Sequence, residues 1–140
     1  MTAVESFEIR PVRSASREDL ILLYTEAGWW DDACRANPGF VLDVVTESAC
    51  FVGAFQGNIM VGMGRALSDR VSDAYIQDVA VLRAFRGRGI GSRIIKCLIA
   101  ELKKIGVDWI GLIGEPGTEP FYEKLGFKPM TGYIPLKYEG

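Results

Sequence analysis

At 140 residues, with 49% apolar and 24% charged residues and a net charge of -2, the sequence fits one soluble globular domain with its own core. That balance excludes a chain built to coat nucleic acid, which needs a broad basic face. Histidine is absent, so Ser-His and Cys-His nucleophilic pairs and histidine metal sites are excluded, and acid–base work falls to tyrosine, carboxylates, water or backbone.

The N-terminal "MTAVESFEIR" has no apolar h-region, and no stretch approaches the roughly 18 uninterrupted apolar residues of a membrane span. The expectation is a cytoplasmic protein with no signal peptide and no membrane partner. "FEIRPVR" (7–13) alternates as a strand does. "SREDLILLYTEAGW" (16–29) opens with Ser16 as N-cap and repeats Leu20, Leu23, Tyr24 and Ala27 at helical spacing. "WWDDACRANPGF" reads as a loop or broken helix, and "FVLDVVTES" (40–48) leans helical. Strands at 49–55 and 59–67 flank a "QGN" turn, and "AYIQDVAVL" (74–82) is a further strand.

Next comes "RAFRGRGIGSRI" (83–94), with four arginines and three alternating glycines ahead of an amphipathic helix. In that helix Ile94, Leu98, Leu102 and Ile105 form one stripe and Gly106 suits the C′ position. Glycines that turn N–H groups outward before a helix N-terminus have the physical form of an anion site. "VDWIGLIG" (107–114) reads as a buried strand, which makes 74–114 a βαβ unit with parallel strands. "TEPFYEKLGF" holds a short helix ending near Gly126, and "KPMTGYIPLKY" supplies one or two closing strands. Cys34, Cys50 and Cys97 form no C-x-x-C pair, so they read as reduced apolar residues and no metal is expected. The expected fold is one α+β domain, residues 1–140, around a mixed central sheet.

The loop fails the Walker A pattern, for no lysine follows Gly91. It fails G-x-G-x-x-G because Ser92 stands where the last glycine belongs. It matches R/Q-x-x-G-x-G/A through Arg86, Gly89 and Gly91. With a strand before it, an amphipathic helix after it and "PFYEKLGF" some thirty residues on, the set resembles the GNAT superfamily of N-acetyltransferases over nearly the whole chain.

The resemblance implies acetyl-coenzyme A as co-substrate. Its pyrophosphate would be held by backbone N–H groups of Arg86, Gly87, Arg88, Gly89, Ile90, Gly91 and Ser92, with arginine side chains adding contacts. Its pantetheine arm would lie along Val79, Ala80 and Val81, with an N–H near Val79 facing the thioester oxygen. Tyr122 matches the family tyrosine that protonates the departing thiolate. Glu115 stands six residues before Phe121, where many relatives carry asparagine. Glucosamine-6-phosphate and arylalkylamine acetyltransferases carry an acid at the comparable place, so Glu115 orients the amine or relays its proton.

Tyr75 and Gln77 are expected on one strand face with Val79, lining the acceptor side, while Asp78 faces away as a structural residue. Where Gln77 stands, the glucosamine-phosphate enzymes have an acid. Trp29 and Trp30, beside Asp31 and Asp32, either wall the acceptor pocket for a cationic amine or belong to the core or to a homodimer contact. Two functions follow: acetyl transfer from acetyl-coenzyme A to a primary amine of a small molecule or peptide, or coenzyme A binding by a non-catalytic module. The full glycine loop and Tyr122 favour the enzyme.

Overall fold

The computed structural model describes residues 6–140, so the first five residues of the stretch read for a leader lie outside the described residues. Five strands, β1 (Glu8–Pro11), β2 (Cys50–Gln56), β3 (Ile59–Ser68), β4 (Asp73–Val81) and β5 (Trp109–Leu112), make one sheet in chain order. The first four pair antiparallel and β4 pairs β5 in parallel, as the βαβ reading requires. A parallel pair needs a crossover, and α4 (Ile90–Lys104) supplies it.

Ile90, Ile94, Ile95, Leu98 and Leu102 of α4 are buried against the sheet. The helix lies close because β3 carries glycine beneath it: a Cβ at Gly62 would come within 3.0 Å of Ile94 Cδ1, and one at Gly64 within 2.8 Å of Ile94 Cγ2. Each such aliphatic side chain contributes about 1.5–3 kcal/mol when fully buried. On the opposite face lie α1 (Arg17–Glu26) and α3 (Phe40–Glu47), which bury Leu20, Leu23, Tyr24, Val41 and Val45. Ser16 caps α1 as expected, accepting the Asp19 N–H at 3.3 Å. The segment left as loop or broken helix contains a one-turn helix, α2 (Asp32–Ala36), because Asp31 caps it by accepting the Cys34 N–H at 2.9 Å. The short helix expected before Gly126 is α5 (Glu119–Glu123).

Two expectations fail. Ile105 is 46% exposed and off the α4 stripe, because the helix ends at Lys104 and Gly106, at φ 88°, turns the chain. Residues 128–138 form no strand among the described residues. Their backbone bonding outside regular elements is a turn from Tyr133 N–H to the Met130 carbonyl. A strand needs a neighbour to complete its hydrogen bonds, and this segment, with Pro129 and Pro135 lacking N–H and Gly132 at φ 86°, meets none among the described residues.

Candidate active site

The glycine loop arrives at α4 through a single 3-10 turn, Arg83–Phe85. Gly87 and Gly89 take φ 77° and 79°, a backbone region that only glycine enters cheaply, and a Cβ at either would meet nothing within 4 Å. Their outer side is therefore open. Gly89 is the N-cap of α4 and provides no side-chain cap, so the first N–H groups of a 15-residue helix face that space with the helix dipole behind them. Gly91 has a different reason to be glycine, since the ring of Phe121 lies 3.4 Å from where its Cβ would be. That contact sets α5 beside the start of α4.

The arginines of the loop serve mainly to fix it. Arg86 Nε–H donates to the Val81 carbonyl at 2.9 Å, Arg93 donates to the Phe7 carbonyl at 3.2 Å, and the Arg88 guanidinium sits 5.3 Å over the Phe85 ring. The Arg83 N–H donates to Glu26 Oε1 at 2.8 Å, tying the loop to α1. With Arg86 and Arg93 committed to the protein's own carbonyls, an anion at this loop would meet backbone N–H groups first.

Beside this loop the sheet opens. Pairing between β4 and β5 runs from Asp73↔Trp109 to Ile76↔Leu112 and ends there, while β4 continues to Val81 paired only with β3. Val79, Ala80 and Val81 consequently present an edge that leads to the N-terminus of α4.

Along β4 the strict alternation expected from sequence breaks. Met63 pairs Ala80 and Arg65 pairs Gln77, two steps on β3 against three on β4, and Asp78 sits in the bulge at φ 54°. The extra residue turns Val79 toward α4, its Cγ2 beside Gly64, Ile94 and Leu98. Asp78 instead joins the face of Gln77 and Tyr75. The expectation that Tyr75, Gln77 and Val79 share a face, with Asp78 opposite, is corrected accordingly. Asp78 is structural, as read, but in a specific way: its Oδ2 accepts the Tyr24 hydroxyl at 2.7 Å and Arg65 Nε–H at 2.8 Å, with Arg65 and Asp78 side chains only 17% and 22% exposed. Burial, then the Asp78 charge, pushes the Tyr24 hydroxyl far above the usual tyrosine range, so it remains a donor.

The constellation continues across the sheet end. Tyr24 and Trp29 meet edge to face at 5.9 Å, and Trp29 Nε1–H donates to Glu115 Oε1 at 3.3 Å. Glu115 is positioned by its own turn, its carbonyl accepting the Thr118 hydroxyl at 2.6 Å and the Thr118 N–H at 3.1 Å. Tyr122 packs between Phe121 and Phe127 at 4.9 and 5.8 Å. Burial first and the Glu115 charge second hold its hydroxyl above the ordinary tyrosine value. The two tryptophans separate: Trp29 turns to Glu115, whereas Trp30 stacks on Phe40 of α3 at 5.8 Å. Tyr75, half exposed, lies against Trp109 at 5.3 Å, and Gln77 is exposed on the same face.

The structure therefore brings together Trp29, Glu115 and Tyr122 at one end of the β4–β5 gap and the glycine loop at its side. Sequence reasoning missed Tyr24 and Arg65. The one available signal was "QD" in "YIQDVAV": two successive polar residues in an alternating strand indicate an inserted residue, since a lone carboxylate among the α4 contacts would be costly.

The acetyltransferase (GNAT) family profile matches residues 11–127. The N-acetyltransferase ycf52 of Pyropia yezoensis, itself uncharacterized, is 41% identical over 68 residues, 49% of this chain and 39% of that protein. Serotonin N-acetyltransferase 2, chloroplastic, of Oryza sativa subsp. japonica is 39% identical over 117 residues, 84% of this chain and 49% of that protein. The chain thus spans only 39% and 49% of the length of these two relatives. Among solved structures, a GNAT-family acetyltransferase of Streptococcus pneumoniae superposes with TM-score 0.76 at 25% identity, covering 96% of this chain and all of that one. With the profile spanning most of the sequence and the splayed β4–β5 pair set beside a glycine-lined helix start, the chain belongs to the acetyltransferase (GNAT) family.

Proposed function

We propose that the chain transfers an acetyl group from acetyl-coenzyme A to a primary amine by direct attack within a ternary complex. The observation that carries this is the gap beyond Ile76 and Leu112, which runs into an uncapped helix N-terminus with open space over Gly87 and Gly89. The residues fit the co-substrate: N–H groups from Gly87 to Ser92 suit a diphosphate, and the unpaired edge of Val79, Ala80 and Val81 suits an extended amide-bearing arm. Acetyl-coenzyme A supplies an acyl carbon on a sulfur whose free thiol has a pKa of about 8.5, a fair leaving group.

The chain's own residues then divide the work. The Glu115 carboxylate, steadied by the Trp29 indole, draws the amine in as a cation and accepts its proton directly or through water. As the nitrogen bonds to the acyl carbon, the Val79 N–H opposes charge growing on the carbonyl oxygen. The carbon–sulfur bond breaks, the Tyr122 hydroxyl gives its proton to sulfur, and the second proton of the amine nitrogen passes through water to the tyrosinate, leaving amide, thiol and neutral Tyr122. Trp29 and Tyr75 offer apolar surface to the body of the amine, while Asp31, Asp32 and Glu115 favour its positive charge. The name of the rice relative supports including arylalkylamines among the acceptors tested.

The test is coenzyme A release with polyamines, arylalkylamines, aminosugars and peptides. Turnover with one class names the acceptor, whereas tight coenzyme A binding without turnover on any amine overturns transfer and leaves a binding module. Tyr122→Phe is expected to slow transfer roughly 10- to 100-fold with acetyl-coenzyme A affinity unchanged, because only the hydroxyl is removed. Burial and the Glu115 charge keep this tyrosine protonated as pH rises, so its basic limb in the wild-type rate profile falls above the ordinary tyrosine range and is absent in the variant. Steady-state kinetics at saturating amine read both; an unchanged rate and profile make Tyr122 a packing residue. Glu115→Gln should lower turnover more than coenzyme affinity, by about 10²-fold at neutral pH. Equal activity between pH 6 and 9 removes Glu115 from the proton path.

A further inference from the structure

We propose that the protein binds a second small molecule, an organic carboxylate with an aliphatic or aromatic body, in a cleft at the far end of α4 from the glycine loop. The cleft has a volume of about 590 Å³, within the range of small-molecule sites. It lies where the C-terminal turn of α4 meets the chain after β1, the α3–β2 connection and the β3–β4 turn. The 15 residues of α4 put it roughly 22 Å from Gly89, so the site stands whether or not acetyl transfer is the reaction. Val45, Phe51 and Leu102, all buried, form its apolar floor. Ile105, off the α4 stripe and half exposed, forms one wall.

Two arginines decide the charge of the ligand. Arg13 lines the cleft because the Val12 N–H donates to the Phe51 carbonyl at 2.8 Å, carrying the β1–β2 pairing past Pro11. Arg70 lines it from a turn fixed by Asp69, whose Oδ1 accepts the Val71 and Ser72 N–H groups at 2.8 and 2.9 Å. In that turn Arg70 takes φ 63°, a left-handed position that glycine or asparagine fills at less cost. Strain of this kind is held where the side chain's placement matters, and here it sets a guanidinium on the cleft. Among the described residues neither Arg13 nor Arg70 has a carboxylate partner. Glu101, the carboxylate in the lining, is held by Lys104 Nζ at 2.9 Å, and Lys103 and Lys104 offset the negative end of the α4 dipole. Cys50 adds no charge, since burial pushes its thiol up to about 11. Two unpaired guanidinium groups beside an apolar floor match a carboxylate carried on an apolar body.

The test is titration of phenylacetate and hexanoate into the full chain, with inorganic phosphate probing charge alone and 2-phenylethanol the body alone. Calorimetry should give a Kd of about 1 mM or tighter for a carboxylate. Amide NMR signals of residues 46–51 and 101–105 should shift on binding, with those of 86–92 unmoved. Arg13→Gln and Arg70→Gly should each weaken binding about 10-fold or more, with coenzyme A affinity unchanged. Arg70→Gly should do so at a thermal midpoint equal to or above that of wild type, because glycine relieves the φ 63° backbone; loss through unfolding is thereby excluded. No binding of either carboxylate at about 10 mM overturns the proposal. So do shifts centred on 86–92, which place the ligand in the co-substrate site, full affinity in either arginine variant, or phosphate or 2-phenylethanol binding as tightly as the carboxylates.

Discussion

Replacing Gly89 by valine is expected to weaken coenzyme A binding by about 100-fold or more while the protein stays folded. Gly89 holds φ 79°, where a β-branched residue is strained by about 1–3 kcal/mol, and that strain falls on the residue that starts α4. A Cβ there meets nothing within 4 Å, so the valine side chain starts into open space, the space the diphosphate needs. The cost is therefore concentrated on ligand binding. Gly89→Ala separates the two effects, retaining most of the strain with less obstruction, and should lose about 10-fold, which equals 1.4 kcal/mol. Gly91→Ala is a control of another kind. Its Cβ would make an ordinary 3.4 Å contact with Phe121, so packing should adjust. Calorimetric titration of coenzyme A into each folded variant decides the matter, and unchanged affinity in Gly89→Val removes the loop as the diphosphate site.

How much of this was legible in the sequence depends on whether local pattern or long-range pairing decides the residue. The α4 stripe from Ile94 to Leu102 and the Ser16 cap follow from periodicity and local hydrogen bonding, and both stand in the structure. So does the parallel β4–β5 pair, because a strand–helix–strand run allows little else. The partnership of Trp29 with Glu115, 86 residues apart, is set by how α1 and the β5 end meet, and no local pattern encodes it. The bulge at Asp78 lay between these cases: its polar pair was visible, but its partners Tyr24 and Arg65 belong to a helix and a neighbouring strand. The closing strands failed for a physical reason of the same kind. Apolar alternation at Ile134, Leu136 and Tyr138 signals a strand, yet pairing depends on an edge that pattern cannot name.

Asp78→Ala is expected to destabilise the fold by about 3 kcal/mol, near the lower end for breaking a buried ion pair because both partners keep some exposure. Three losses combine: the Arg65 guanidinium is left without its carboxylate, the Tyr24 hydroxyl loses its acceptor, and alanine tolerates φ 54° less well than aspartate. Urea unfolding should show a lower midpoint with an unchanged slope, since the surface exposed on unfolding hardly alters. Arg65→Met combined with Asp78→Ala should cost less than the two single changes added together, because the double variant buries no orphaned charge. A single-variant loss under about 0.5 kcal/mol, or strict additivity, would show that the pair contributes little. The same variants report on function through geometry. The bulge turns the backbone so that Val79, Ala80 and Val81 continue past the end of β5 toward α4, and the carboxylate at its apex holds that turn from α1 and β3 together. Coenzyme A affinity in the folded Asp78→Ala protein should therefore fall about 10-fold although Asp78 lies off that edge; full affinity would mean that pairing with β3 alone sets the bulge.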